Sequence, residues 1–149
     1  MTSVSSLHNI HKTGLFGDYE NKNENDLIKI SEIKNLLIYQ VVKYKNSSLD
    51  ISKMNLDGLR LPEELKVKSN ETTRILWMGP DNWLVISTKQ NIFELIKYDF
   101  TDENFAITDL SHTRTIIEIE GNLADEVIKK GCPLDLRDLS EGSCANSVF

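Results

Sequence analysis

A chain of 149 residues, 40% hydrophobic and 27% charged, has room for one domain or two small lobes and the composition of a folded protein rather than a disordered one. Its formal net charge of -6 disfavours a broad phosphate-binding surface and so argues against nucleic acid as a partner. No apolar run approaches the ~20 residues of a membrane helix and no signal-peptide pattern opens the chain, so a cytoplasmic protein is expected.

Residues 1–26 are polar and finally acidic, with Asp18, Glu20, Glu24 and Asp26 around an Asn-rich stretch, and read as an arm that is ordered only when something binds it. Within it, His8-x-x-His11 would place two imidazoles on one helical face. Thr2, Ser3, Ser5, Ser6, Asn9, Thr13 and Gly14 give a helix little to hold it, and no metal is expected there. Residues 27–149 read as a single α+β domain, or as two small lobes of which the last is incomplete. In residues 36–44, Leu36, Ile38, Gln40, Val42 and Tyr44 interleave with Leu37, Tyr39, Val41 and Lys43, which predicts a largely covered strand. Ser47 or Ser48 then caps a short helix through Ile51 and Met54 that ends near Gly58, and Leu61-Pro62 restarts an extended or turn conformation.

Ile75-Leu76-Trp77-Met78 and Trp83-Leu84-Val85-Ile86 flank the turn formers Gly79-Pro80-Asp81-Asn82. This predicts a hairpin, central in its sheet because both runs are apolar on both faces. Thr88 is placed to cap a helix carrying Ile92, Leu95 and Ile96 on one face, with Lys97 near its end. Residues 105–109 and 114–120 predict a second hairpin around Leu110-Ser111-His112-Thr113. In its second strand Thr115, Ile117 and Ile119 point one way and Ile116, Glu118 and Glu120 the other. Asn122 is then the N-cap of a helix with Asp125 and Glu126 in its first turn, Leu123, Ala124, Val127 and Ile128 on its buried side, Lys129 and Lys130 in its last turn and Gly131 as its stop. Strand-strand-helix therefore recurs, giving an α+β fold of helices packed on mostly antiparallel sheet. After a polar turn, residues 144–149 begin a further strand that is paired to an element already present, paired to another chain, or cut short.

The chemistry on offer is sparse. Cys132 and Cys144 allow one disulfide at most and have no zinc spacing, so both read as reduced structural thiols. Asp109, Ser111, His112 and Arg114 crowd one connection, but neighbouring side chains in a tight turn diverge. Asp109 and Ser111 are expected to bond turn amides, with His112 and Arg114 as surface or interface groups. Neither a G-x-G-x-x-G nor a G-x-x-x-x-G-K-[ST] motif occurs, so a self-contained flavin or nucleotide enzyme is not expected. Trp77 and Trp83 would suit a planar ligand such as a pterin, though aromatics in dense apolar strands are more often core or interface.

One ordered set of motifs goes further. Met78-Gly79-Pro80-Asp81-Asn82-Trp83-Leu84, Asp109-Leu110-Ser111-His112-Thr113-Arg114, Gly121-Asn122-Leu123-Ala124, Lys130-Gly131-Cys132-Pro133-Leu134-Asp135-Leu136 and Gly142-Ser143-Cys144-Ala145 together resemble the gamma subunit of heterotetrameric sarcosine oxidase. The resemblance covers residues 74–149 and implies a fold similar to the folate-binding domain of the glycine-cleavage aminomethyltransferase, without a cofactor of its own. It further implies partner subunits alpha, beta and delta, with FAD, FMN and NAD held by alpha and beta and zinc by delta. Such a complex oxidises sarcosine to glycine with oxygen, yields hydrogen peroxide, and passes the one-carbon unit to tetrahydrofolate or releases it as formaldehyde. The related N-methylglutamate dehydrogenase has a similar subunit plan. The implied role is structural, so no catalytic, cofactor-binding or metal residue carries over. Trp83, Asp109, His112, Arg114, Cys132 and Asp135 stand as interface or motif positions. A stand-alone folate-binding or aminomethyl-transfer module is the alternative, and an assembly factor gripping a partner through its polar arm is a third reading. Relatives of this kind usually continue past the Gly142–Ala145 motif with another strand and a helix, so the unit that starts at Cys144 is expected to be incomplete at Phe149.

Overall fold

The computed structural model describes residues 5–18, 20 and 27–147, so the readings placed on Thr2, Ser3, Glu24, Asp26 and Phe149 fall outside the described residues. The strands pair antiparallel throughout, helices are few, and the class is α+β. The chain divides into two compact units, one formed by Met1–Lys34, His112–Ser140 and Ser147–Phe149, the other by Asn35–Ser111 and Glu141–Asn146. Among the described residues no helix is long and apolar enough to cross a membrane.

The second unit is built on a five-stranded sheet. In chain order its strands are β3 (Leu37–Lys43), β6 (Val67–Ser69), β7 (Thr73–Gly79), β8 (Asn82–Ser87) and β9 (Phe105–Asp109), and in space they run β6-β7-β8-β3-β9. The expected hairpin is β7–β8, turned at Pro80 and Asp81, and β8 is the central strand. Along β8, Trp83, Val85 and Ser87 are buried while Leu84 and Ile86 are half-covered, so one face carries the core and the other is covered only in part. Helix α1 (Ile92–Asp99) lays Ile92 and Ile96 onto that core with Tyr39, Val41, Leu56, Ile75, Phe100 and Phe105. Phe100 meets Phe105 edge-on with centroids 5.0 Å apart. Each of these buried side chains is worth about 1.5–3 kcal/mol relative to leaving it in water.

Two expectations here change. Residues 47–58 do not form the predicted helix: Asp50 caps a single 3-10 turn, Ile51–Lys53, after which β4 (Asn55–Leu56) and β5 (Leu59–Arg60) make a small hairpin. Its central residues Asp57 and Gly58 have φ of 54° and 79°, the doubly left-handed turn whose twist suits a two-residue hairpin. Thr88 does not cap α1, because its hydroxyl donates to Thr72 O; Asn91 occupies the cap position without a side-chain bond. No strand forms over the described residues 144–147; the chain just before them runs against residues 65–67 through an isolated bridge between Ser143 and Lys66. There Val67 N–H donates to Gly142 O at 2.8 Å and Cys144 N–H to Leu65 O at 2.9 Å.

The first unit holds a three-stranded sheet ordered β1-β2-β10, from β1 (Gly14–Phe16), β2 (Ile28–Ile33) and β10 (Ile116–Glu120). The predicted second hairpin is therefore absent. β9 stays beside β3, where Leu110 N–H donates to Ile38 O at 2.8 Å, and β10 pairs with β2, where Ile119 faces Ile30 and Glu120 faces Lys29. Helix α2 (Ala124–Lys129) has Leu123, not Asn122, at its cap position, and no residue of α2 is buried; Leu123 and Val127 on its expected core side are exposed. Lys129 instead ties the helix to itself, 3.1 Å from Asp125 and 2.6 Å from Glu126.

Gly121 packs closely enough to test this unit. Its φ is 134°, and a Cβ placed on it would lie 2.7 Å from Leu27 O. Gly121→Ala should cost about 1–3 kcal/mol, read as a lower melting temperature, since backbone strain and a clash with main chain have no easy relief.

Candidate functional site

The connection after β9 gathers an acid, a hydroxyl, an imidazole and a guanidinium within six residues. Asp109 Oδ1 accepts from Ser111 N–H at 2.9 Å, and Ser111 Oγ accepts from Ile38 N–H at 2.9 Å. Asp109 thus serves the turn as expected, while Ser111 serves not a turn amide but the amide of Ile38 on β3. His112 and Arg114 are exposed, and the structure does not join them to Asp109 and Ser111 in a nucleophile-base arrangement. Trp83 faces Trp77 and Val41 across the sheet, is 2% exposed, and donates its indole N–H to Pro62 O at 3.2 Å. So enclosed, it offers no ring face to a planar ligand.

Cys132 is buried and Cys144 half-buried, and both thiols are free. Cys144 Sγ–H donates to Trp77 O at 3.3 Å, and burial pushes this thiol upward despite that bond. Asp135 caps the 3-10 turn Leu136–Asp138: its carboxylate accepts from Arg137 N–H at 3.1 Å and takes the guanidinium at 2.9 and 2.7 Å. The Arg137 side chain, backed by its backbone N–H, holds this carboxyl at about 2.

The structure adds two clusters that sequence reasoning passed over. Asp57, at the tip of the β4–β5 hairpin, is 9% exposed and its carboxylate accepts from Thr73 Oγ1 at 2.6 Å, Thr72 Oγ1 at 3.3 Å, Asn70 Nδ2 at 3.2 Å and the Lys89 ammonium. Buried Ser87 Oγ lies 2.9 Å from Thr73 Oγ1 and extends the network into β8. The Asp57-Gly58 pair was the signal available in the sequence. In the first unit, His11 Nε2 stands 2.9 Å from Glu32 Oε2, while His11 Nδ1 reaches Leu7 O at 2.7 Å. The Glu32 side chain is 5% exposed, so the imidazole faces a buried carboxylate. An open cleft lined by Thr13, Gly14, Lys29, Ser31 and Lys34 adjoins the pair. His8 is exposed, and among the described residues no group of three or more His, Cys, Asp or Glu is placed to hold a metal ion.

These groups define an antiparallel α+β chain whose clustered polar side chains serve turns, caps and strand pairing. The comparisons give that class a particular kin. The chain is similar to sarcosine oxidase subunit gamma of Corynebacterium sp. strain P-1, at 35% identity over 89 residues, and of an Arthrobacter species, at 33% over 89 residues. The subunit gamma of Corynebacterium sp. strain U-96 is 32% identical over 65 residues. The first two matches cover 57% of this chain and 43% of each relative, so the chain matches less than half the length of those proteins. No family model matches. A solved heterotetrameric sarcosine oxidase from Corynebacterium sp. U-96, in complex with pyrrole 2-carboxylate, has the same fold, with a TM-score of 0.68 at 23% identity over 78% of this chain and 62% of the matched one. The resemblance carried by the motifs is thus met both by sequence and by fold.

Proposed function

We propose that this chain is a non-catalytic gamma subunit of a heterotetrameric sarcosine oxidase, assembling in the cytoplasm with alpha, beta and delta chains. The observation that carries the reading is the 35% identity to a protein of that name over 89 residues. In this reading the partners hold FAD, FMN, NAD, tetrahydrofolate and zinc and oxidise sarcosine to glycine, and this chain supports their assembly. The antiparallel pairing of the strands supports the further reading of an aminomethyltransferase-like fold, although β9 and β10 pair in different sheets and so do not repeat the β7-β8-α1 unit. Of the motif positions, exposed His112, Arg114 and Asp135 are suited to contact a partner, whereas buried Trp83 and Cys132 shape the surface from within.

The test is co-expression with alpha, beta and delta chains, followed by size-exclusion chromatography. This chain should co-elute in a complex larger than that formed without it. A chain that stays separate while the other three assemble normally would overturn the proposal.

A further inference from the structure

We propose that the outer edge of β10 is a docking strand, onto which a partner chain adds an extended segment alternating basic and apolar residues. The inference rests on the subunit role proposed above and names the surface and chemistry of one of its contacts. In the order β1-β2-β10, β10 has a strand on one side alone among the described residues. Alternate N–H and C=O groups of Ile116–Glu120 therefore point away from β2, a row of backbone partners open to another strand.

The other edges are less suited. Residues 142–144 run against residues 65–67 and so cover the start of the three-residue β6, and β1 is likewise three residues long. β9 buries Phe105 in its own core, and Asp109, its one charged residue, accepts from Ser111 N–H. β10 differs on both faces. Its register with β2 sets Ile117 beside Glu32 and Ile119 beside Ile30 on one face, and Glu118 beside Ser31 and Glu120 beside Lys29 on the other. Ile117 is 37% exposed, and the first unit buries few apolar residues, Leu27, Ile28 and Cys132, while the main core cluster lies wholly in the second. A further strand would continue the apolar row and cover Ile117.

Charge chooses the occupant. A second copy added antiparallel about the middle of β10 would set Glu118 against its own counterpart, and like charges directly opposite destabilise a strand pair. The same acidic row favours lysine or arginine. β2 already shows the match from the inner side, where Lys29 Nζ donates to Glu120 at 2.7 Å and the neighbouring Ile30 faces Ile119. The partner segment is expected to repeat what β2 shows at Ile28-Lys29-Ile30, a basic residue between apolar ones, and to lack an acid such as Glu32.

To test this, the full isotope-labelled chain is titrated with a short synthetic peptide alternating lysine and valine, followed by amide NMR. Shifts and slowed hydrogen exchange should appear at alternate amides of residues 116–120. Glu118→Lys, a change at an exposed position, should weaken binding roughly tenfold, and a peptide with glutamate in place of lysine should not bind. Equal binding of both peptides, shifts confined to β1 or β9, or an unchanged affinity for Glu118→Lys would overturn the proposal. The co-expression experiment separates the two readings. If the parent chain and Glu118→Lys assemble equally, the docking strand is wrong and the subunit role stands. If the parent chain does not assemble, the subunit role is wrong and the titration judges the edge by itself.

Discussion

Trp83→Ala is expected to lower stability by about 3–5 kcal/mol, the largest loss of any single substitution considered for this chain. Trp83 sits on the central strand, 2% exposed, with Val41 and Trp77 as cross-strand neighbours, so truncation opens a cavity where β3, β7 and β8 meet. It also removes the donor to Pro62 O, leaving that carbonyl without the indole N–H it has at 3.2 Å. Trp83→Phe separates the two effects. It keeps most of the buried area and loses the hydrogen bond, and should cost about 1–3 kcal/mol. Urea unfolding with an unchanged slope is the measurement. A loss below about 0.5 kcal/mol for Trp83→Ala, the range of surface substitutions, would show that this ring is not a centre of the core.

Asp57→Asn should cost about 2 kcal/mol near neutral pH and flatten the acid response of stability. Burial alone raises the pKa of this carboxyl, but hydrogen bonds from Lys89, Thr73 and Asn70, together with the ammonium charge, outweigh it and bring the value to about 2, below the ordinary 3.8. A depressed folded-state pKa means that the unfolded chain takes up the proton first as the pH falls. The contribution is therefore complete above the ordinary value of 3.8 and is lost as the pH drops towards about 2. The difference corresponds to about 2 kcal/mol. Asparagine tolerates the left-handed φ of 54° at this position, so the substitution tests the charge with little added backbone strain. An Asp57→Asn protein whose stability falls with acid as steeply as the parent's would place the acid-labile group elsewhere.

The parts of this fold that were legible in the sequence are those where pattern and partner lie close together. β3 and the β7–β8 hairpin follow from alternating β-branched and aromatic residues around Gly79-Pro80-Asp81-Asn82, and α1 from the spacing of Ile92 and Ile96. What was not legible depends on distant partners. Residues 105–109 and 114–120 look like a hairpin locally, yet β9 closes on β3 and β10 on β2, a choice set by chain far upstream. The β4–β5 hairpin was legible in Asp57-Gly58 and was obscured by apolar residues at helical spacing just before it. Asp109 was legible because its partner is the turn amide of Ser111, whereas the Ser111 hydroxyl takes the amide of Ile38 on β3 rather than a turn amide; the pairing of His11 with Glu32 has no counterpart in any motif.

The β2–β10 pairing also sets an order of events. Lys29 and Glu120 meet across 91 positions of sequence, whereas nearly all of the second unit is the single stretch Asn35–Ser111. During synthesis, that stretch is complete while residues 116–120 are still unmade, and closing a long loop costs more entropy than closing short ones. β2 therefore emerges with one edge waiting, and keeps it until residues 116–120 have followed the stretch Asn35–Ser111 out of the ribosome.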